Sequence, residues 1–291
     1  MDPTNFGLLI KALRCNGTDN FGNRWTRESL CNEVHLTPDQ LGRIERGERK
    51  YLDNQTLHLL ATAFKLTNLE RKEFLYASIG LADSVIDSTL EPAAQLNSLI
   101  VLLESLQVPA FVLDVYSDLV VSNQAALCIS QLTPERLKQA KTVPAGLNHL
   151  YLFYSPEYGY REILGDHWQN TAIRELLLFR HSSLRYRHTE YFNYLLQEFL
   201  KDKAFDINWY SSHKSELYNA RAYAPLKYEH PAYGPVNYIA TETVVHTNKG
   251  NLRLVILNPL DSVTTALFAD LTASGNNRAV KLNSWPEIII P

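Results

Sequence analysis

The stretch that most limits what this chain can become runs from Thr26 to Arg49. Thr26 stands where a helix N-cap is wanted, with Glu28 and Ser29 in the first turn. Leu30 and Val34 lie four apart on one face, and Cys31 is small where two helices would cross closely. His35, Leu36 and Thr37 make a turn. Thr37 then caps a second helix whose first residue is Pro38, a position where the missing N–H is harmless. Leu41 and Ile44 are the buried pair of that helix, and Gly47 stops it. Apolar residues at 30, 34, 36, 41 and 44 have the core spacing of a helix-turn-helix, whose second helix lies in the DNA major groove. An ordinary helical hairpin is the plain alternative. The small residue, the buried set, the cap-Pro start and the Gly stop together favour the DNA-binding motif.

A length of 291 residues suggests two domains, and 45% hydrophobic residues suffice to give each a core. No apolar run approaches the ~18 residues of a membrane helix. The N-terminus shows no charged-then-apolar leader, so a cytoplasmic protein without a membrane partner is expected. Cys15, Cys31 and Cys128 are few and far apart, which suggests neither a disulfide framework nor a zinc site. Net charge is −3, which does not advertise nucleic-acid binding. Residues 11–50 hold eight Lys/Arg against six Asp/Glu, a weak basic bias. The DNA argument therefore rests on the motif.

Around that motif, residues 1–82 read as five short helices. Phe6 to Arg14 is the first, with Phe6, Leu9, Ile10 and Leu13 on one face. Asp53 to Thr56 starts the fourth, with Leu57, Leu60, Ala61, Phe64 and Leu66 inward. Asn68 starts the fifth, with Leu69, Phe74, Leu75 and Ile79 inward and Gly80 at its end. The start of the third, reading helix faces base edges. Asp39, Gln40 and Arg43 are its candidate readers, Arg43 for guanine and Gln40 for adenine. Thr37 and Arg27, at helix starts, suit phosphates, as do Arg46, Arg49 and Lys50 beyond the groove.

Polar residues 82–91 mark a linker, and residues 92–291 a second domain. A helix over 93–106 carries Leu96, Leu99, Leu103 and Leu106 on one face, a stripe that either connects the domains or pairs in a dimer. Two strands follow, 110–115 and 118–123, with a turn at Tyr116 and Ser117 and a helix from Gln124. That is how a PAS domain begins. Residues 145–210 read as helices and loops and hold fifteen aromatics between Tyr151 and Tyr210. Trp168, Ala172, Ile173, Leu176 and Leu177 share one helical face. Strands resume near 217–228, 236–246 and 252–257. A helix over 261–271 closes the domain, and the end reads as an extended tail. The fold class expected is α+β: a five-helix bundle, then a PAS-like antiparallel sheet with a large helical insertion.

Residues Thr26 to Gly47 and Leu57 to Phe64 resemble the xenobiotic-response-element and lambda-repressor-like family. One departure is His35, at a turn position the family usually gives to Gly. Pro109 to Asp114, Asn123 to Ala126, Asn148, Trp168, Trp209, His213, His230, Pro231, Gly234 and Leu252 to Ile256 resemble the MmyB-like regulators. Together the two resemblances cover about residues 6–271. They imply a ligand-responsive transcription regulator on a double-stranded DNA operator; because a single short reading helix covers few base pairs, a homodimer is expected. They also imply a PAS-like cavity for a small hydrophobic ligand, a long-chain fatty acid. An acyl slot needs an apolar floor and one polar group at its mouth. By strand alternation Phe111, Leu113 and Val121 form the floor, covered by Trp168, Ile173 and Leu177. Arg174, Arg180 and Arg221 are the candidates for the carboxylate.

Enzyme activity is not expected. His181 and His188 lack ligand partners for a metal, His230 precedes Pro231, and no nucleophile elbow or phosphate-binding loop occurs. No cofactor or metal is implied. The alternative that stays open is a DNA-binding protein whose second domain only dimerises or binds a protein.

Overall fold

The computed structural model describes residues 1–49, 51–80, 91–212, 224–247, 249–273 and 277–286. It divides into two compact units. The first holds the N-terminal helices together with Arg180–Leu196 and a short piece beginning at Tyr210. The second holds the sheet and the helices around it.

The first unit opens with α1 (Pro3–Asn16), capped by the Asp2 carboxylate, which accepts the Asn5 N–H. Helices α2 (Arg27–Val34) and α3 (Pro38–Glu45) follow, then α4 (Asn54–Ala63) and α5 (Asn68–Ile79). Each begins on a side-chain cap: Thr26, Thr37, Asp53 and Thr67. Phe6, Leu9, Ile10, Leu30, Leu41, Ile44, Leu57, Leu60 and Phe74 form one buried core. Gly7 lets α1 lie against the end of α3, since a Cβ there would stand 2.5 Å from the Ile44 carbonyl oxygen.

One expected face is corrected. Leu75 and Ile79 of α5 are exposed, and its inward stripe is Glu70, Phe74 and Ala77. The helix is turned so that a carboxylate faces inward. Glu70 is fully buried because it has buried partners: Arg180 Nε donates to Oε1 and Nη2 to Oε2, both at 3.0 Å. Arg187 Nη2 donates to the same carboxylate.

The linker expected at 82–91 lies outside the described residues except for Glu91. The second unit opens with α6 (Pro92–Ser105), then β1 (Ala110–Leu113), β2 (Leu119–Asn123) and α7 (Gln124–Ile129). Asn123 ends β2 and caps α7: its Oδ1 accepts the Ala126 and Ala110 N–H groups. The insertion continues with α8 (Pro134–Ala140), α9 (His149–Tyr154), α10 (Tyr160–Leu164), α11 (Trp168–Ser182), α12 (Glu190–Phe199) and α13 (Lys203–Ser211). Strands β3 (Leu226–His230), β4 (Gly234–Val245) and β5 (Leu252–Pro259) follow, then α14 (Ser262–Ala273) and β6 (Ala279–Lys281).

All sheet neighbours are antiparallel, in the order β3-β4-β5-β1-β2-β6. The sheet is therefore the PAS-like one expected, with a helical insertion between β2 and β3. The tail expected to be merely extended supplies an edge strand. Both faces of the sheet are covered, so β1 and β2 are buried throughout. On one face Leu96, Leu99 and Leu103 of α6 pack with Ala110, Val112, Val121, Leu252 and Leu254. The leucine stripe offered as a dimer contact is thus used inside its own unit. On the other face lie Phe111, Leu113, Val236, Val255 and Leu257, with α7 and Phe268 of α14. Among the described residues no helix is long and apolar enough to cross a membrane.

Candidate functional site

Two places in the molecule combine exposed or cavity-facing polar groups with a rigid frame. The first is the α2–turn–α3 segment. Thr26 and Ser29 form a capping box on α2, and Thr37 and Gln40 form one on α3. Between them His35 takes the left-handed conformation, at φ 55° and ψ 40°. His thus occupies the geometry that the resemblance assigns to Gly, and its backbone N–H closes α2 on the Cys31 carbonyl. The far end of α3 is tied down by Glu45. That buried carboxylate accepts Arg14 Nε at 2.6 Å and Arg27 Nη2 at 2.7 Å, so one side chain joins α1, α2 and α3. Burial alone would raise the Glu45 carboxyl, but the hydrogen bonds from Arg14 and Arg27 outweigh it and hold it below the ordinary carboxylate value.

Against this frame Thr37, Asp39, Gln40 and Arg43 are all exposed on α3. Arg43 is 59% exposed, with Glu48 3.8 Å away. Gln40 departs from expectation: its Oε1 is turned back to accept the Thr37 N–H at 2.8 Å, so contact with adenine would require it to leave the capping box. Thr37 Oγ1 accepts the Gln40 N–H in return. Arg27 is half-exposed on Glu45, Arg46 is paired with Glu48 at 2.5 Å, and Arg49 is exposed. Lys50 lies outside the described residues.

The second place is a cavity of about 120 Å³ in the sheet-bearing unit. Its floor is the insertion-side face of the sheet: Phe111 and Leu113 of β1, Tyr238 and Ala240 of β4, Val255 and Leu257 of β5. Phe153 of α9 and Tyr160, Ile163 and Leu164 of α10 wall it, with Leu178 of α11. Ile163, Leu164 and Tyr228 also border an adjoining open groove with Gly165 and Lys227.

One part of the wall is polar. Arg174 donates to Glu175 Oε1 from Nε at 3.1 Å and from Nη2 at 2.8 Å. His149 Nδ1 stands 3.3 Å from Glu175 Oε2, and the imidazole packs 5.1 Å from the Phe111 ring and 5.2 Å from that of Phe153. Burial would raise the Glu175 carboxyl, but the charge of Arg174 and the His149 hydrogen bond outweigh it and bring it down to about 2. Burial also pushes the Tyr238 phenol up to about 12, so it remains a hydrogen-bond donor at neutral pH. Glu242 completes this end and accepts Arg253 Nη1 at 3.4 Å.

Of the expected cavity residues, Phe111, Leu113 and Arg174 line it. Val121 does not: in the β1–β2 register it pairs with Val112, so both face α6, on the opposite side from Phe111. Trp168, Ile173 and Leu177 are also elsewhere on α11. Leu177 is buried in the packing of the unit, and Trp168 Nε1 donates to the Phe153 carbonyl at 2.7 Å. The residues of α11 that reach the cavity are Arg174, Glu175 and Leu178, round the helix from the apolar stripe. The stripe is spent on packing, and the mixed face beside it meets the cavity. Arg180 is occupied by Glu70 and Ser212 in the first unit. Arg221 lies outside the described residues. His149, Glu175, Tyr160, Tyr228, Tyr238 and Glu242 also line it, beyond the expected set. A signal existed for two of them: in β4, Tyr238, Ala240 and Glu242 alternate and so share one face.

The sequence of residues 97–271 matches the family model of the MmyB-like transcription regulator ligand binding domain. No curated protein matches the chain. The match spans β1 to β5, the insertion and every residue of the cavity wall, and it covers more than half of the chain. The protein is a member of the MmyB-like transcription regulators, with the cavity lying inside its ligand-binding domain.

Proposed function

We propose that this chain is a cytoplasmic, DNA-binding transcription regulator whose sheet domain takes a hydrophobic carboxylate, a long-chain fatty acid, into the cavity between sheet and insertion. The observation that carries the ligand half is a cavity with an apolar sheet floor and a charged end at Arg174, Glu175 and His149 beside Tyr238, with Ser130 and Gln131 as uncharged polar groups elsewhere in its wall. The burial of the α6 leucines favours a ligand over a protein-contact role, because that stripe is not left free for a partner. Ligand pockets for drug-sized molecules commonly span about 300–1,000 Å³, so a long acyl chain would overfill this cavity. Its tail then runs on past Leu164 and Tyr228 into the adjoining groove. Native mass spectrometry before and after organic extraction tests the reading: a lipid that disappears on extraction supports it, and an apo mass throughout removes the lipid ligand.

The DNA half rests on α3, whose exposed start is held by a capping box and whose end is held by Glu45. Asp39 and Arg43 lead the base contacts, and Arg27, Arg46 and Arg49 suit phosphates. The reading is of a binding protein rather than an enzyme. His230, for instance, uses Nδ1 to accept the Ala232 and Tyr233 N–H groups in its own turn. A single short reading helix covers few base pairs, so the protein works as a homodimer on a two-fold operator. Sedimentation with and without operator DNA checks this. A monomer in both conditions would refute the dimer.

A further inference from the structure

The charges at the polar end of the cavity are already matched. In its wall Arg174 faces Glu175, and Glu242, at the exposed margin, faces Arg253. Glu175 has already taken two Arg174 N–H groups, and its other oxygen faces His149. A ligand carboxylate placed there would be the one charge without a counterion of its own, and an unmatched charge in a largely enclosed pocket is strongly disfavoured. The other titratable groups round His149 do not supply a cation. Tyr238 of β4, Tyr228 of β3 and Tyr160 of α10 are phenols kept protonated by burial. Arg253 of β5 is turned to Glu242 and to Ser117 Oγ, at 2.7 Å. At the β1–β2 turn, whose Ser117 carbonyl accepts the His149 backbone N–H, Asp114 and Asp118 are further carboxylates.

We infer that a carboxylate enters this cavity only together with one proton, held either on His149 or on the ligand itself, so that the head group selected at Arg174 and Tyr238 is effectively neutral. Two consequences follow. A neutral head group of the same chain length, such as an alcohol, binds with no pH dependence from this site. A carboxylic acid loses affinity as pH rises, with a slope reaching about tenfold per pH unit where the free protein and free ligand both lack the proton. The inference rests on the ligand reading above and can fail separately from it.

The test is calorimetry of the full-length, delipidated protein with decanoate and with decanol, from pH 6 to pH 8.5, in two buffers of different ionisation heat. Expected are uptake of about one proton per decanoate, a falling decanoate affinity with rising pH, and a flat decanol affinity. Decanoate that binds equally well across the range, with no buffer dependence, overturns the inference and leaves the ligand reading intact. Binding of neither probe at any pH overturns both. Glu175→Gln removes one wall carboxylate, and its decanoate binding should lose the proton uptake and gain tenfold or more at pH 8.5. Because Glu175 is buried, Glu242→Gln at the more accessible end provides the same comparison if the first variant does not fold. Proton uptake unchanged in a folded variant would again overturn the inference.

Discussion

At the scale of the residue, the chemistry of α3 turns on which side chains are already engaged. Glu48 holds Arg46, and Gln40 is folded into its capping box, whereas Arg43 stands exposed on the same face. Arg43→Ala should therefore weaken binding to the cognate operator by about 1–3 kcal/mol and relax one base preference. Selection from a randomised site library reads this directly, and an unchanged preference would remove Arg43 as a reader. Caps, turn and buried positions of the motif were legible because each is a local choice: a Thr before a helix, a Pro at its first residue, apolar side chains at fixed spacing. The occupation of Gln40 was not, since the same residue type serves a cap and a base edge equally well. Nor was Glu45 visible as the clasp of three helices, because its partners Arg14 and Arg27 come from distant points of the sequence.

At the scale of the element, strands were easier to find than to orient. The pattern of residues 109–126 gave β1, β2 and α7 within a residue or two, yet Val121 was assigned to the wrong face. Period-two alternation holds within one strand and does not cross a turn. Here the register pairs Phe111 with Ser122, which places Val121 beside Val112, and slips only beyond that pair, between Val112 and Leu113. In β4 the alternation itself identifies cavity positions, and Ala240 is the smallest side chain on the floor. Ala240→Trp should fill the cavity, abolish ligand binding and leave the α3 segment able to bind DNA. In the parent protein each buried CH₂ is worth ~0.8 kcal/mol, so affinity should climb with acid chain length until cavity and groove are full. A titration series from eight to eighteen carbons with no such trend would argue for a protein-contact role instead.

At the scale of the whole molecule, the division read along the chain differs from the division in space. Leu184 belongs to the core of the N-terminal helices, and Arg180 and Arg187 supply the partners of Glu70. No local pattern announces this, because α5 looks amphipathic without them. A fragment of residues 1–82 would keep all five helices but leave Glu70 facing inward without its arginines. In the intact chain burial raises the Glu70 carboxyl, the charges of Arg180 and Arg187 outweigh it, and it falls to about 2. A depressed carboxyl stabilises fully above its unfolded value and loses that contribution as pH falls towards 2. Without the arginines burial acts alone, the carboxyl rises, and the sign reverses: stability then falls as pH rises through the unfolded value. The fragment should be less stable than the same helices in the full chain by about 3–5 kcal/mol, the usual consequence of stranding one member of a buried ion pair. Its urea midpoint should increase on acidification from pH 7 to pH 5, and Glu70→Gln in the fragment should remove that increase. Hydrogen exchange at the α5 amides in the full chain provides the reference. A fragment as stable as that reference, with no response to Glu70→Gln, would mean that residues 180–196 add nothing to the stability of the N-terminal unit.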